Sequence, residues 1–373
     1  MPLRFIGANG RKLGCLVALF GASFIVNACQ YTHASAAPVS MDGLMKLVHD
    51  YGRDHHGLLS PGTAVKPDET DNDYTPRISK ILEQEDFAQL EKIAQQNRIE
   101  KGRLIGGMWK IVSFYDATGM PVFVGERTDA EYAGQIARLK KWIAKYPDSV
   151  TARLSLAYLY LSYASQARGT GFADSVSDTQ WDLFHTRTAE AKAMLLEASA
   201  LKEKDQFWYH AMQLVALNEG WDKVHARELL DQAVAFEPTY YHFYREYARY
   251  LMPQWYGQPG DVGAFAAEVS NQVPEPNGSM LYFQIVSSLA CYCEEAVHQL
   301  PQASYSVLRQ GYENLTRLYG TSNRTANRFA FMAVTFRDRP SAREAFNAIA
   351  TMEADVWFTE QMFDSSRDWA KAN

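Results

Sequence analysis

The sequence contains few cysteines: four among 373 residues. This number excludes a small disulfide-rich scaffold. Cys15 and Cys29 lie within and just after an N-terminal apolar segment, whereas Cys291 and Cys293 form a C-x-C pair. Side chains at positions i and i+2 of a helix point about 200° apart, so this pair cannot form a disulfide within a helix. Because no second cysteine pair or histidine pair accompanies it, we expect no metal site there.

The sequence also lacks the short motifs of common enzyme classes. It contains no G-x-S-x-G, H-E-x-x-H or kinase-like set. The turn from Arg168 to Gly171 is rich in glycine but lacks the Gly-Lys-Ser/Thr ending of a phosphate-binding loop. We therefore predict a protein that is not an enzyme and has no cofactor, although a catalytic triad dispersed along the chain would leave no such motif.

Histidines and acids are present, but their spacing favours structural roles. His55 and His56 lack a third metal ligand, and Asp182 and His185 are spaced as either an acid–base pair or a buried structural hydrogen bond. Three further histidines recur at about the length of one repeat, which predicts equivalent positions in stacked helices rather than one cluster: His210, His225 and His242. We predict no catalytic residue and no metal ligand.

Basic residues are outnumbered by acidic ones. The formal net charge is −6, and residues 1–28 contain three basic residues and no acid. Without them the chain has 34 basic and 43 acidic residues, a charge of −9. A chain of this charge is a poor candidate for binding nucleic acid or an anionic membrane surface. We predict a protein or peptide partner and no nucleic acid.

The N-terminus has the pattern of an export signal. Three basic residues precede an uncharged run from 13 to 26, which is too short for a membrane span of about 20 residues. Cleavage after Ala36 gives a signal peptide of residues 1–36. Cleavage before Cys29, at a site resembling a lipobox except for Asn27, gives one of residues 1–28 and a lipid on Cys29. The protein is predicted to be exported, either soluble in the periplasm or attached to the outer membrane through that lipid.

Beyond this signal the chain divides by composition. Residues 41–56 have the spacing of a short amphipathic helix, and residues 57–76 are rich in proline and acids, which predicts a linker. Residues 77–130 predict a small N-terminal helical region, within which 109–115 is either a helix or a short strand. Residues 131–373 predict a domain of repeated helix pairs.

The repeat is clearest in residues 226–238. Ala226, Leu229, Leu230 and Ala233 occupy one helical face, and Pro238 follows. Similar faces recur 35 residues earlier, 36 residues later and near the C-terminus, at 191–198, 262–269 and 342–349. This pattern resembles the tetratricopeptide repeat, in which small residues let two helices approach closely and proline ends a unit. We predict a mainly α fold, a solenoid of antiparallel helix pairs.

A longer stretch of the sequence resembles a bacterial family. Residues 167–270 are similar to the domain-of-unknown-function family four thousand and thirty-four, and weaker similarity extends from about residue 81 to the C-terminus. The similar residues are Arg168-Gly169-x-Gly171, Ala173-Asp174, Val176, Trp181, Gly220-Trp221, Pro238-Thr239-Tyr240-Tyr241, Tyr250-Leu251-Met252-Pro253-x-Trp255 and Gly257. The resemblance supports the helical fold and implies no activity.

The candidate binding site lies where the repeat is interrupted. Between Ala164 and Ala189 the pattern predicts an insertion, and long loops usually have a function. The insertion holds Arg168, Asp174, Trp181 and His185, and the turn at Trp255 supplies a further exposed aromatic candidate. We predict a non-enzymatic helical-repeat protein that binds a protein or peptide in the bacterial cell envelope. The alternative is an envelope enzyme, or a protein that binds a small molecule or cell-wall fragment, with a pocket formed by residues 165–188.

Overall fold

The computed structural model describes residues 39–53, 67–120, 127–169, 171, 173–289 and 304–372. These residues form 17 α-helices and a short 3-10 helix. The described part of the chain contains no β-strand, apart from one isolated bridge between Arg103 and Trp109. The predicted mainly α fold is confirmed.

The described helices are numbered α1 to α17 in chain order. The first six are α1 (Met41–Gly52), α2 (Asp71–Glu83), α3 (Phe87–Glu100), α4 (Lys110–Gly119), α5 (Asp129–Lys145) and α6 (Val150–Arg168). The next six are α7 (Asp178–Ser199), α8 (Phe207–Glu219), α9 (Lys223–Phe236), α10 (Tyr241–Tyr250), α11 (Asp261–Gln272) and α12 (Asn277–Leu289). The last five are α13 (Tyr305–Tyr319), α14 (Asn323–Thr335), α15 (Arg339–Asn347), α16 (Ala354–Trp357) and α17 (Glu360–Lys371).

Neighbouring helices pack against one another through the predicted repeat faces. In α9 all four residues of the face, Ala226, Leu229, Leu230 and Ala233, are buried. The corresponding residues of α7, Ala191, Met194, Leu195 and Ala198, are buried as well. Helices that follow each other in sequence pack together, most extensively α6 with α7 and α12 with α13. This arrangement is compatible with the predicted solenoid, because each helix pair buries its apolar face on the next.

The prediction of a linker over residues 57–76 is wrong for residues 71–76, which are helical. Helix α2 begins at Asp71, and the side chain of Thr70 caps it by accepting a hydrogen bond from the backbone N–H of Asp73. Acidic residues in the first turn of a helix interact favourably with the positive end of the helix dipole. Asp71 and Asp73, which are among the acids that predicted a linker, therefore favour a helix that begins here. Tyr74 and Ile78 are buried, and their packing holds the helix despite the proline within it. Residues 57–66 lie outside the described residues.

The boundary predicted at residue 130 does not separate two structural units. The described residues from Met41 onward form one compact unit. Tyr51 of α1 stacks on Trp208 of α8 with ring centroids 4.1 Å apart. Thr118 of α4 lies within hydrogen-bond distance of Ser155 of α6, at 2.8 Å. The segment 109–115, predicted as helix or strand, belongs mostly to helix α4. Large buried aromatic side chains join the N-terminal helices to the repeats, which composition along the chain cannot show.

The predicted insertion is mostly helix. Helix α6 continues to Arg168 and α7 begins at Asp178, so only residues 169–177 lie between them. Ser177 and Gln180 form a capping box that starts α7 earlier than the apolar pattern indicated. Phe184 and Thr188, within the stretch predicted as loop, are buried.

No helix within the described ranges combines the length and the apolar character needed to cross a membrane.

Candidate functional site

The structure brings together four of the five predicted site residues: Arg168, Trp181, His185 and Trp255. The guanidinium carbon of Arg168 lies 5.7 Å from the ring centroid of Trp181 and 5.5 Å from that of Trp255. His185 stacks on Trp181 at 5.7 Å. Asp174 lies exposed on the 3-10 turn Ala173–Ser175, and within the described residues no hydrogen bond or ion pair joins it to the other four.

We call Arg168, Trp181, His185, Trp255 and Arg249 the cation–aromatic cluster. Arg249, which sequence reasoning did not select, joins it because its guanidinium carbon lies 5.5 Å from the ring centroid of Trp255. Both tryptophans are half-buried, and His185 is exposed. An arginine within about 6 Å of a tryptophan ring is attracted by the ring's quadrupole. The cluster is therefore a set of rigid aromatic faces held together by two positive charges.

Local structure holds Arg168 in this position. It is the last residue of α6, and its Nη1 donates hydrogen bonds to the carbonyl oxygens of Gly169 and Gly171, at 3.2 and 3.3 Å. Gly169 has φ of +70°, a conformation that favours glycine. The chain therefore turns sharply back under the arginine side chain.

The turn after α10 holds Trp255. Tyr250 donates a hydrogen bond to the carbonyl oxygen of Trp221 at 2.7 Å, and Tyr256 donates one to that of Leu217 at 3.0 Å. A Cβ at Gly257 would lie 1.8 Å from the carbonyl oxygen of Leu251, so no larger residue fits this turn. The resemblance to the bacterial family rests in part on this segment, and its physical role here is to fix Trp255.

From Arg249 a second group of polar side chains continues into the molecule along α10. Nη1 of Arg249 lies 3.5 Å from Oε2 of Glu246, and Oε1 of Glu246 lies 3.8 Å from Nε2 of His210. The ring centroids of His210 and His242 are 5.5 Å apart. We call this group the polar centre; it comprises Asp116, Tyr158, His210, His242, Arg245 and Glu246.

Burial and neighbouring charges shift the pKa values of the two acids in the polar centre, Asp116 and Glu246. Burial raises the pKa of Asp116 to about 6, although its carboxylate accepts a hydrogen bond from Tyr158 at 3.0 Å. Burial also acts to raise the pKa of Glu246, but the contact with His210 and the charges of Arg249 and Arg245 lower that pKa to about 2. Two carboxyl groups in one site thus differ strongly in acidity because their charged neighbours differ.

The residues of the polar centre come from segments that are far apart in the sequence, and no motif joins them. The histidines about one repeat apart were predicted to occupy equivalent positions in stacked helices and not to form a cluster. Their helices do stack, but this stacking places His210 and His242 side by side, whereas His225 instead approaches Asp222 at 2.6 Å. The only signal in the sequence was the polar face of α10, where His242, Arg245 and Glu246 follow helical spacing.

Several predicted sites remain without a structural test. His55, His56, Cys291, Cys293 and Cys29 lie outside the described residues. Among the residues that the structure does describe, no group of three or more His, Cys, Asp or Glu side chains could hold a metal ion.

The chain matches no protein-family model, no curated protein and no solved structure. The resemblance to the domain-of-unknown-function family therefore stays a prediction.

Proposed function

We propose that this is a non-enzymatic helical-repeat protein that binds a protein or peptide partner through the cation–aromatic cluster. The observation that supports this proposal is the position of Arg168 between Trp181 and Trp255, near both rings. Tryptophan and arginine are enriched among the residues that dominate binding energy at protein interfaces. The cluster lies beside the connections from α6 to α7 and from α10 to α11, and stacked helical repeats present extended surfaces that bind partners.

The chemistry of the cluster favours a partner with an apolar side chain beside a carboxylate. The half-buried rings of Trp181 and Trp255 offer contact area at low cost in conformational entropy. Arg168 and Arg249 lie close to those rings, and a carboxylate could accept hydrogen bonds from either guanidinium group. The structure therefore supports a peptide-like ligand better than a nucleic acid, whose phosphates would meet an acidic chain.

Loss of either tryptophan should weaken capture of the partner without unfolding the protein. We expect Trp181→Ala or Trp255→Ala to reduce affinity at least about thirtyfold, equivalent to about 2 kcal/mol. Since both rings are half-buried, each change should lower stability by less than about 2 kcal/mol. The measurement is quantitative capture from native envelope extracts with the full mature chain, followed by affinity measurement with the captured protein.

Trp369→Ala is the matched control for this experiment. Trp369 is also half-buried and also lies under an arginine, with the guanidinium carbon of Arg339 5.1 Å from its ring centroid. It belongs to α17, away from the cluster in sequence. A partner lost equally from all three variants, or retained by both cluster variants, would refute the proposed binding site.

We further propose that the protein acts in the bacterial cell envelope, as a periplasmic protein or an outer-membrane lipoprotein facing the periplasm. The support is the basic and then apolar N-terminal sequence with its two cleavage sites. Mass spectrometry of the mature protein should find an N-terminus at lipidated Cys29 or at Ala37. Recovery of the intact Met1 terminus from the cytoplasmic fraction would contradict export.

The alternative function is an envelope enzyme, or a protein that binds a small molecule or cell-wall fragment, with a pocket formed by residues 165–188. Residues 165–188 are mostly helical, and only 169–177 lie between α6 and α7. The charged groups that do converge, with shifted pKa values, lie on α10 and its neighbours instead. Any small-molecule site is better sought at the polar centre.

A further inference from the structure

A small cavity lies where the segment before α4 meets the repeats. Its volume is about 30 Å³, which is space for about one water-sized group. Its wall comes from the connection between α3 and α4, the start of α10, and helices α12 and α13. The lining side chains with hydrogen-bonding groups are Arg103, Thr239, Tyr241, Asn277, Gln284 and Tyr319. The cavity therefore suits a small occupant that forms hydrogen bonds.

Arg103 brings a positive charge to this wall. Its guanidinium carbon lies 3.2 Å from the ring centroid of Trp109 and 5.9 Å from that of Tyr319. Nη1 of Arg103 donates a hydrogen bond to the carbonyl oxygen of Lys101 at 2.5 Å, and within the described residues its Nε and Nη2 have no hydrogen-bond partner. Burial lowers the pKa of this guanidinium to about 10, so the side chain keeps its charge at neutral pH. Two donor nitrogens of a charged group thus lie beside the cavity without a partner.

The carboxylate of Glu237 does not supply the missing counter-charge, because both of its oxygens are engaged. Its Oε2 lies 2.6 Å from Nζ of Lys101, and its Oε1 accepts a hydrogen bond from Oγ1 of Thr239 at 2.7 Å. In the part of the chain that the structure describes, no carboxylate forms an ion pair with Arg103. Removing a charge from water is costly unless an opposite charge is close to it. An anion in the cavity would therefore stabilise the folded chain.

Gln284 of α12 is a second group at the cavity without a partner. Its exposed fraction is 4%, it lines the cavity, and its amide forms no hydrogen bond within the described ranges. The hydroxyl of Tyr319 on α13 has no hydrogen-bond partner among those residues either. An amide NH2 group supplies two donors and a hydroxyl supplies one. Donors of three separate segments, those of Arg103, Gln284 and Tyr319, therefore border the same water-sized space.

We propose that this cavity binds one halide ion, chloride under ordinary conditions, through Arg103, Gln284 and Tyr319. A chloride ion is only slightly larger than a water molecule, carries the charge that Arg103 lacks, and accepts hydrogen bonds from several directions at once. Phosphate and sulfate are too large for a space that holds one water-sized group. The bound ion joins the connection before α4 to α12 and α13, so its role is to stabilise their packing. The site does not depend on the partner proposed for the cation–aromatic cluster.

Chloride-35 NMR on the full mature chain tests this proposal, because chloride that exchanges with a protein site broadens the resonance of free chloride. We expect a broadening that saturates with chloride concentration. Sodium bromide should displace the bound chloride, whereas sodium sulfate at equal ionic strength should not. Arg103→Gln should weaken chloride binding at least about tenfold, because a hydrogen bond from a charged group contributes about that factor.

Two further variants keep the experiment decisive. Arg309→Gln removes an equal charge from an exposed arginine of α13, the helix that carries Tyr319, and should leave the affinity unchanged. Gln284→Leu removes the amide donors and keeps Arg103, so it serves if Arg103→Gln does not fold, and it should weaken binding at least about threefold. Absence of saturable broadening in the wild type, displacement by sulfate as effective as by bromide, or equal affinity in Arg103→Gln, Gln284→Leu and Arg309→Gln would overturn the proposal.

Discussion

Replacing Asp205 by alanine should destabilise the protein by about 3–5 kcal/mol, the usual result of breaking a buried ion pair from one side. Asp205 is fully buried, and its Oδ2 accepts hydrogen bonds from Arg98 at 3.0 Å and from Tyr115 at 2.7 Å. Its Oδ1 accepts one from the backbone N–H of Phe207 at 2.8 Å. The variant leaves the guanidinium of Arg98 buried without its main counter-charge.

Asp205 also ties the N-terminal helix to the repeats. Its backbone N–H donates to the hydroxyl of Tyr51 at 2.9 Å, and that hydroxyl donates to the carbonyl oxygen of Asp205 at 3.2 Å. Tyr51 belongs to α1, Tyr115 to α4 and Asp205 to the connection before α8. The residue therefore joins segments that are distant in sequence: its backbone holds Tyr51, and its carboxylate holds Arg98 and Tyr115. Asp205→Ala keeps the backbone contacts with α1 and removes only those of the carboxylate.

Glu203→Ala is the matched control. Glu203 also pairs with Arg98, at 2.8 Å, but its side chain is 41% exposed. Exposed ion pairs contribute about 0–1 kcal/mol, so this variant should be nearly neutral. Urea unfolding, followed by circular dichroism, measures the stability of both variants. The midpoint of Asp205→Ala should fall while the dependence of its free energy of unfolding on urea stays constant. Equal midpoints for the two variants would show that Asp205 does not hold the buried charge.

Asp116→Asn should have the opposite effect and increase the free energy of unfolding at neutral pH. The folded-state pKa of Asp116 is about 6, against 3.8 for the unconstrained group. A raised acid pKa means that ionised Asp116 destabilises the folded state, by up to about 3 kcal/mol above pH 6. Asparagine removes this charge and keeps an oxygen that can accept the hydrogen bond from Tyr158.

The pH dependence distinguishes this mechanism from a general packing effect. Below pH 3.8 the aspartate is protonated in both folded and unfolded chains, so the advantage of Asp116→Asn should disappear there. Between pH 4 and 6 it should grow steadily as the unfolded chain ionises first. Asp182→Asn, at an exposed position of α7, is the control and should change stability by less than about 0.5 kcal/mol at pH 7. A pH-independent gain, or a loss at pH 7, would contradict the burial of a charged Asp116.

Part of the candidate site is predictable from the sequence because that part is local. Arg168 and Trp181 lie 13 residues apart, at the two ends of one connection, so their proximity follows from a pair of packed helices. Trp255 was selected for its own turn, and its approach to Arg168 was not predicted. Asp174 was selected by the same reasoning, and the structure leaves it exposed and apart from the cluster.

The local pattern of amino acids is sufficient to specify the helices and the faces that they bury. The spacing of four residues in α9 predicts both the helix and its buried face, because helical geometry places them on one stripe: Ala226, Leu229, Leu230 and Ala233. Local capping residues such as Thr128 and Ser177 determined where helices start, because their side chains accept hydrogen bonds from the backbone three residues later.

The contacts of the polar face of α10 are set by the packing of helices that are distant in sequence. From sequence alone, His242, Arg245 and Glu246 form the hydrophilic side of an amphipathic helix, and such a side usually faces water. In the folded chain that side meets His210 of α8, Tyr158 of α6 and Asp116 of α4, residues that contact it because the helices stack around it. Periodicity records the face of each helix but not the angle at which distant helices meet. The burial of these charges, and with it the shifts in their pKa values, therefore follows from packing over long sequence separations.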